Sequence, residues 1–149
     1  MRRTLLLTAV LIACASNEEP EADSAAAATD TAPALAAADV SGTWSGTTMP
    51  TGSDSVLARW TIVNVNDTTS HMMLEGVPDT IAYRVTFDAD SLIATSEPYT
   101  TPDMPDTPVT FRSVGRLDNG MLRGTVDIRL ASNADSVLER NRWEATRAP

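Results

Sequence analysis

Lysine is absent from this chain: its 11 basic residues are all arginine, set against 20 acids, for a net charge of −9. Such a chain is repelled by nucleic-acid phosphates, which disfavours nucleic acid as a partner. There is one cysteine, Cys14, and one histidine, His71. No intrachain disulfide can form, and a zinc site of the Cys/His type cannot be assembled. A Cys–His nucleophile pair fails as well, because Cys14 lies outside any core. Aromatics are scarce, with three Trp, two Tyr and two Phe, and none precedes Trp44. A core therefore forms only beyond residue 40, from roughly 110 residues, an ordinary length for one domain. No apolar run reaches the ~20 residues that span a bilayer. Neither a phosphate loop nor a Gly-x-Ser-x-Gly elbow occurs.

What is present begins with Arg2-Arg3, a basic start to the apolar run Leu5–Ala15, which closes on Leu11-Ile12-Ala13-Cys14. This order of charge, apolar stretch, small residue and cysteine resembles the lipobox of bacterial lipoproteins. The resemblance implies that Met1–Ala13 is a signal peptide and that Cys14 becomes the diacylglycerylated first residue of the mature chain. Loss of Arg2 and Arg3 then moves the charge from −9 to −11. Ala15 is not the aspartate that retains such proteins in the inner membrane, so the resemblance places the protein at the outer membrane of the cell envelope. Two or three acyl chains anchor stably, where one chain is marginal.

After Cys14, residues 14–38 carry Glu18, Glu19, Glu21, Asp23 and Asp30, two prolines, many alanines and no aromatic. They cannot bury enough apolar surface to offset chain entropy, so the expectation is a disordered tether. A flexible chain of that length spans about 27 Å.

From Asp39 the pattern changes to alternation of period two, the mark of half-buried strands. Eight strands are expected near 42–48, 56–65, 70–76, 81–88, 91–96, 109–117, 121–131 and 137–147. Ile81, Tyr83, Val85 and Phe87 alternate with polar residues, as do Leu122, Val126, Ile128 and Leu130. The even-numbered connections are short: Asn66-Asp67-Thr68-Thr69, Ala89-Asp90, and Asp118-Asn119-Gly120, whose Asn-Gly is a strong hairpin signal. The odd ones, Met49–Ser55, Val77–Thr80, Glu97–Pro108 and Ser132–Ser136, are mostly longer. In an up-and-down meander this gives one tight end and one loop-rich end. The fold class expected is all-β, an eight-stranded antiparallel up-and-down β-barrel over 39–149 following the tether. A β-sandwich suits the alternation equally but gives no reason for the loop asymmetry.

Gly42-Thr43-Trp44 at the start of the first strand resembles the Gly-x-Trp signature of the lipocalin and avidin-like barrels, the calycins. The resemblance implies a barrel floor closed by Trp44, with a basic residue of the last strand over it. Arg147, which shares a strand face with Trp143 and Ala145, is the matching residue, and Trp143 is expected at the floor beside Trp44. Nearer the mouth, alternation places Ala58, Trp60, Leu74, Tyr83, Ser96, Phe111, Ile128, Glu139 and Asn141 inside. Of these, Trp60, Tyr83, Ser96, Phe111, Glu139 and Asn141 are the candidate ligand-binding residues. An apolar wall with a few polar groups fits a small-molecule pocket. It fits a packed interior too, and strand 56–65 has two registers open, because Leu57, Val63 and Val65 compete for the inside.

Catalytic and metal chemistry find no constellation. His71 alternates with Met72 and Leu74 and so faces solvent with Met73 and Glu75. Asp88-Ala89-Asp90 reads as turn chemistry, without the further oxygens that calcium needs. Glu139 lacks the second inward acid that a glycosidase requires. The expectation is a non-enzymatic, membrane-tethered protein holding a small, largely apolar molecule, without cofactor or metal. The alternative is an envelope protein-interaction or hydrolase-inhibitor module acting through rim loops 49–55 and 97–108. A tether entering at the tight end would leave the mouth facing away from the membrane.

Overall fold

The computed structural model describes residues 34–64 and 69–149. The segment expected to be a signal peptide, Met1–Ala13, with Cys14, the expected tether as far as residue 33, and Asn66, Asp67 and Thr68 of the second connection lie outside the described residues. Within them one short helix, α1 (Ala37–Val40), precedes nine strands: β1 (Thr43–Pro50), β2 (Ala58–Asn64), β3 (Thr69–Leu74), β4 (Ile81–Asp88), β5 (Ser91–Ser96), β6 (Tyr99–Thr101), β7 (Met104–Asp118), β8 (Met121–Leu130) and β9 (Asn133–Arg147). All pairings are antiparallel. The order runs β5-β4-β3-β2-β1-β9-β8-β7, and β5 pairs with β7, so eight strands close into a barrel with β6 added beyond β7. Closure is compatible with the calycin-like architecture.

Alternation decides which residues face inward. On three neighbouring strands the inner positions form layers: Leu117, Leu122 and Ala145; then Gly115, Gly124 and Trp143; then Ser113, Val126 and Asn141; then Phe111, Ile128 and Glu139. The two tight turns are built by positive backbone φ, at Ala89 (51°) and at Asn119 (50°) with Gly120 (79°). Asp90 of the first turn pairs with Arg116 at 3.4 Å and with Ser91.

The register of β2 is settled by Gly46. Trp60 sits directly across from it, and a Cβ at 46 would lie 2.3 Å from the indole. Only glycine leaves room for that ring, so Ala58, Trp60 and Ile62 take the inside, while Val63 lies outside and half exposed. The Trp60 Nε1–H donates to Thr48 Oγ1 at 3.0 Å, which fixes the indole against β1.

Two connections differ from the alternation-based expectation. Glu97–Pro108 is a hairpin arm, not an irregular loop: Tyr99 pairs with Val109 and Thr101 with Met104, with a register shift between them. Pro105 and Pro108 fall in the bulged stretch of β7, where a missing N–H costs no ladder bond. Ser132–Ser136 is also shorter than expected, because β9 starts at Asn133 after a turn at 131–132. Side chains take over from the ladder there. Asn133 Oδ1 accepts from the Asp135 N–H at 3.1 Å, and Arg129 Nη1 donates to the Ala134 carbonyl at 2.6 Å.

The tight end is closed by α1. Trp44 is fully buried, and its Nε1–H donates to the Val40 carbonyl at 2.9 Å. The Arg147 guanidinium lies 4.7 Å from the Trp44 ring centre and donates to the carbonyls of Ser41 and Asp39. Cation–π attraction and the two carbonyls together hold helix, first strand and last strand at one point. Leu35 packs on the core, and its N–H donates to the Ala89 carbonyl at 2.9 Å. Ordered structure thus includes residues 34–38, which sequence reasoning gave to the tether.

On the outer face, Asp127 of β8 accepts from Arg140 (2.6 Å) and Arg129 (2.9 Å). The Arg140 hydrogen bond foremost, with Arg129 adding to it, holds this carboxyl well below the usual carboxylate range.

Candidate functional site

Inside the barrel, above the Trp44 floor, lies a cavity of ≈ 680 Å³ open at the loop-rich end. That is within the ~300–1,000 Å³ of small-molecule sites. Its lower wall is apolar, with Ile62, Met72, Val85, Phe87, Leu92 and Leu122. Aromatic rings form a belt above. Trp60 and Trp143 meet edge to face at 5.9 Å, and Phe111 lies 5.7 Å from Tyr83 and 6.3 Å from Tyr99.

Of the six candidate ligand-binding residues, the cavity brings together Trp60, Tyr83, Phe111, Glu139 and Asn141. Ser96 is not among the lining residues. It is buried, and its Oγ accepts from the Phe111 N–H at 2.8 Å, so the hydroxyl is spent on the β5–β7 seam where the ladder ends. Trp143, expected at the floor, stands at mid-height across from Thr48, while Arg147 stands across from Trp44. Gly115 and Gly124 explain its place: a Cβ at either would come within 3 Å of its ring, so two absent side chains make the recess it fills. Its Nε1–H donates to the Thr125 carbonyl at 3.1 Å. Glu139 is not a buried carboxylate; it is exposed at the mouth. His71 is on the outer strand face with Met73.

Among the lining residues that sequence reasoning missed are Ser113, Glu75 and Asp103. Ser113 follows Phe111 by two positions, so alternation alone carried the signal. Glu75, expected on the outer face with His71, lies in the turn after Leu74, where strand parity no longer applies. Asp103 is in the turn between β6 and β7, inside a stretch expected to be a loop.

Polar groups in the wall are few. Ser113 is 7 % and Asn141 4 % exposed, and neither side chain has a hydrogen-bond partner among the described residues. The two flank Val126 in one layer and line the cavity. Their polar atoms open on the cavity and are not sealed into the wall, so a bound group can take up the missing bonds. The Tyr83 phenol is bonded to Ser70, yet burial pushes its pKa up to about 12, and burial does the same for Tyr99. Both exceed the ~10 of a free phenol, so the stability tied to their neutral forms is intact below pH ~10 and is lost as pH rises toward 12. Ultraviolet titration is expected to show two tyrosinates forming late, with Tyr83→Phe removing one. Ionisation of both at the ordinary value would show that the belt is wet.

Among the described residues no group of three or more His, Cys, Asp or Glu is placed to hold a metal ion, and no helix is long and apolar enough to cross a membrane. Comparison of the chain with protein-family models, curated proteins and solved structures gives no match, so the functional reading rests on this geometry.

Proposed function

We propose that this protein is a lipid-anchored binding module of the outer membrane, tethered through Cys14, that holds a small, largely apolar molecule in the barrel cup. The observation that carries the reading is the open cavity of ≈ 680 Å³, lined by apolar and aromatic side chains with the unpartnered Asn141 and Ser113 at mid-depth. A barrel that served only as a packed core would gain by filling that volume, at ~25 cal/mol per Å² of apolar surface removed from water. Anchoring leaves the cup's chemistry untouched and sets only where it works.

One experiment tests both parts. Full-length protein and its Cys14→Ser variant are separated into membrane and soluble fractions, and each is titrated with Nile red, a neutral apolar dye. The expected result is native protein in the membrane fraction, Cys14→Ser in the soluble one, and saturable dye binding by both. Ser113→Phe, which puts a ring into the cavity, is expected to weaken the dye by about tenfold or more, the loss of ~1.4 kcal/mol of contact. Failure of either protein to bind dye would overturn the cup reading in favour of docking through the rim, where Val56, Leu57, Val137 and Leu138 are 42–51 % exposed.

A further inference from the structure

The charges around the cavity have one sign. Besides the phenols of Tyr83 and Tyr99, three acidic side chains line it, Glu75, Asp103 and Glu139, and no Arg or His is among the lining residues. The three acids come from separate parts of the chain: the turn after β3, the turn between β6 and β7, and the upper part of β9. All are exposed at the open end, and none is in an ion pair among the described residues. This contrasts with the outer surface, where Arg84, Arg116, Arg123, Arg129, Arg140 and Arg142 each meet an acid. Other acids, such as Asp88 and Glu144, also lack an ion pair among the described residues, but at the mouth three such carboxylates share one opening. Low-dielectric walls behind them focus the field toward the opening.

Asn141 supplies a second and independent indication. It is the inward residue next below Glu139 on β9, it is 4 % exposed, and its amide faces the cavity without a partner. Its oxygen can accept a hydrogen bond from a ligand donor that also reaches Glu139. Below this pair come ring faces, which attract a cation, and then the aliphatic lower wall. From top to bottom the cup offers carboxylates, an amide oxygen, aromatic faces and hydrocarbon.

Resting on the cup-binding reading above, we infer that the ligand is a cationic amphiphile: an apolar body that enters the barrel and an ammonium or amidinium head held between Asn141 and the carboxylates of Glu139, Glu75 and Asp103. Fatty acids and other anionic amphiphiles are rejected by the same groups. Discrimination comes from repulsion as much as attraction, since no cation in the wall receives an anionic head.

Three probes with the same ten-carbon chain separate head-group charge from burial: decylammonium, decanol and decanoate. Each is titrated by calorimetry below its micelle concentration into the full-length Cys14→Ser chain, with the emission of Trp60 and Trp143 as a second readout. Decylammonium is expected to bind about tenfold tighter than decanol, and decanoate weaker than decanol, from three partly exposed attractions acting together. Raising salt narrows the gap. The triple variant Glu75→Gln, Asp103→Asn, Glu139→Gln is expected to erase the gap between decylammonium and decanol. Equal or tighter binding of decanoate, or an ammonium preference that survives in the triple variant, overturns the inference and leaves the cup reading standing. Failure of decanol together with the other two removes the cup reading itself.

Discussion

Trp44→Ala is expected to destabilise the protein by about 3–5 kcal/mol, the cost of removing a fully enclosed indole. That is a large part of the ~5–15 kcal/mol that holds a domain folded. The ring is 0 % exposed, its N–H satisfies the Val40 carbonyl at 2.9 Å, and the Arg147 guanidinium rests on it at 4.7 Å. Alanine therefore opens a void, removes the indole N–H from the Val40 carbonyl and takes away the surface that places Arg147. Trp44→Phe keeps a ring and loses the N–H bond, for a smaller expected cost of about 1–2 kcal/mol. Urea unfolding of the three proteins checks both values. A cost below ~1 kcal/mol for alanine would mean that α1 and the β1–β9 seam hold without the indole.

Gly124→Ala is expected to cost about 3 kcal/mol, the upper end for overpacking, although it adds a single methyl group. Its Cβ would lie 2.0 Å from the Val114 carbonyl oxygen, 2.7 Å from the Gly115 Cα and 2.8 Å from the Trp143 ring. Two of those neighbours are backbone and cannot step aside. Gly46→Ala differs in kind, because the nearest atoms, at 2.3–2.7 Å, all belong to the Trp60 side chain. Trp60→Ala should therefore rescue Gly46→Ala, whereas Trp143→Ala should not rescue Gly124→Ala. Thermal unfolding of the two double variants separates the cases. Rescue at both positions would show that the β7–β8 backbone yields.

The barrel was legible because period-two alternation and hairpin turns are local. Ile81 to Phe87 display one apolar face, and Asn119-Gly120 has the φ its turn demands. What alternation could not show was anything set by neighbours distant in sequence. Trp143 stands at mid-height because Gly115 and Gly124 leave a recess for it, a fact of pairing rather than of its own strand. Ser96 has inward parity, yet its hydroxyl is taken by the Phe111 N–H across the closing seam. Helix α1 is a single turn in an alanine-rich stretch, too short for any periodicity, and only its contacts with Trp44 and Arg147 distinguish it from tether. The rim was the least legible part. There, prolines and side-chain hydrogen bonds replace the ladder, so Glu75 and Asp103 reached the mouth by turn geometry that no alternation rule describes.

Closure through the β5–β7 pairing has a consequence for the protein's behaviour in a crowd. Among the described residues, the one strand with a single partner is β6, which is three residues long and is followed at once by Pro102. Amyloid-like growth needs a longer run of free N–H and C=O groups on which an incoming chain can zip. A folded copy offers almost none, so stacking must wait for the barrel to open. The shelf life of this protein in concentrated solution is thus set by how often a seam of the barrel parts, and the β3–β4 and β5–β7 seams, with four and five paired positions, are among the shortest.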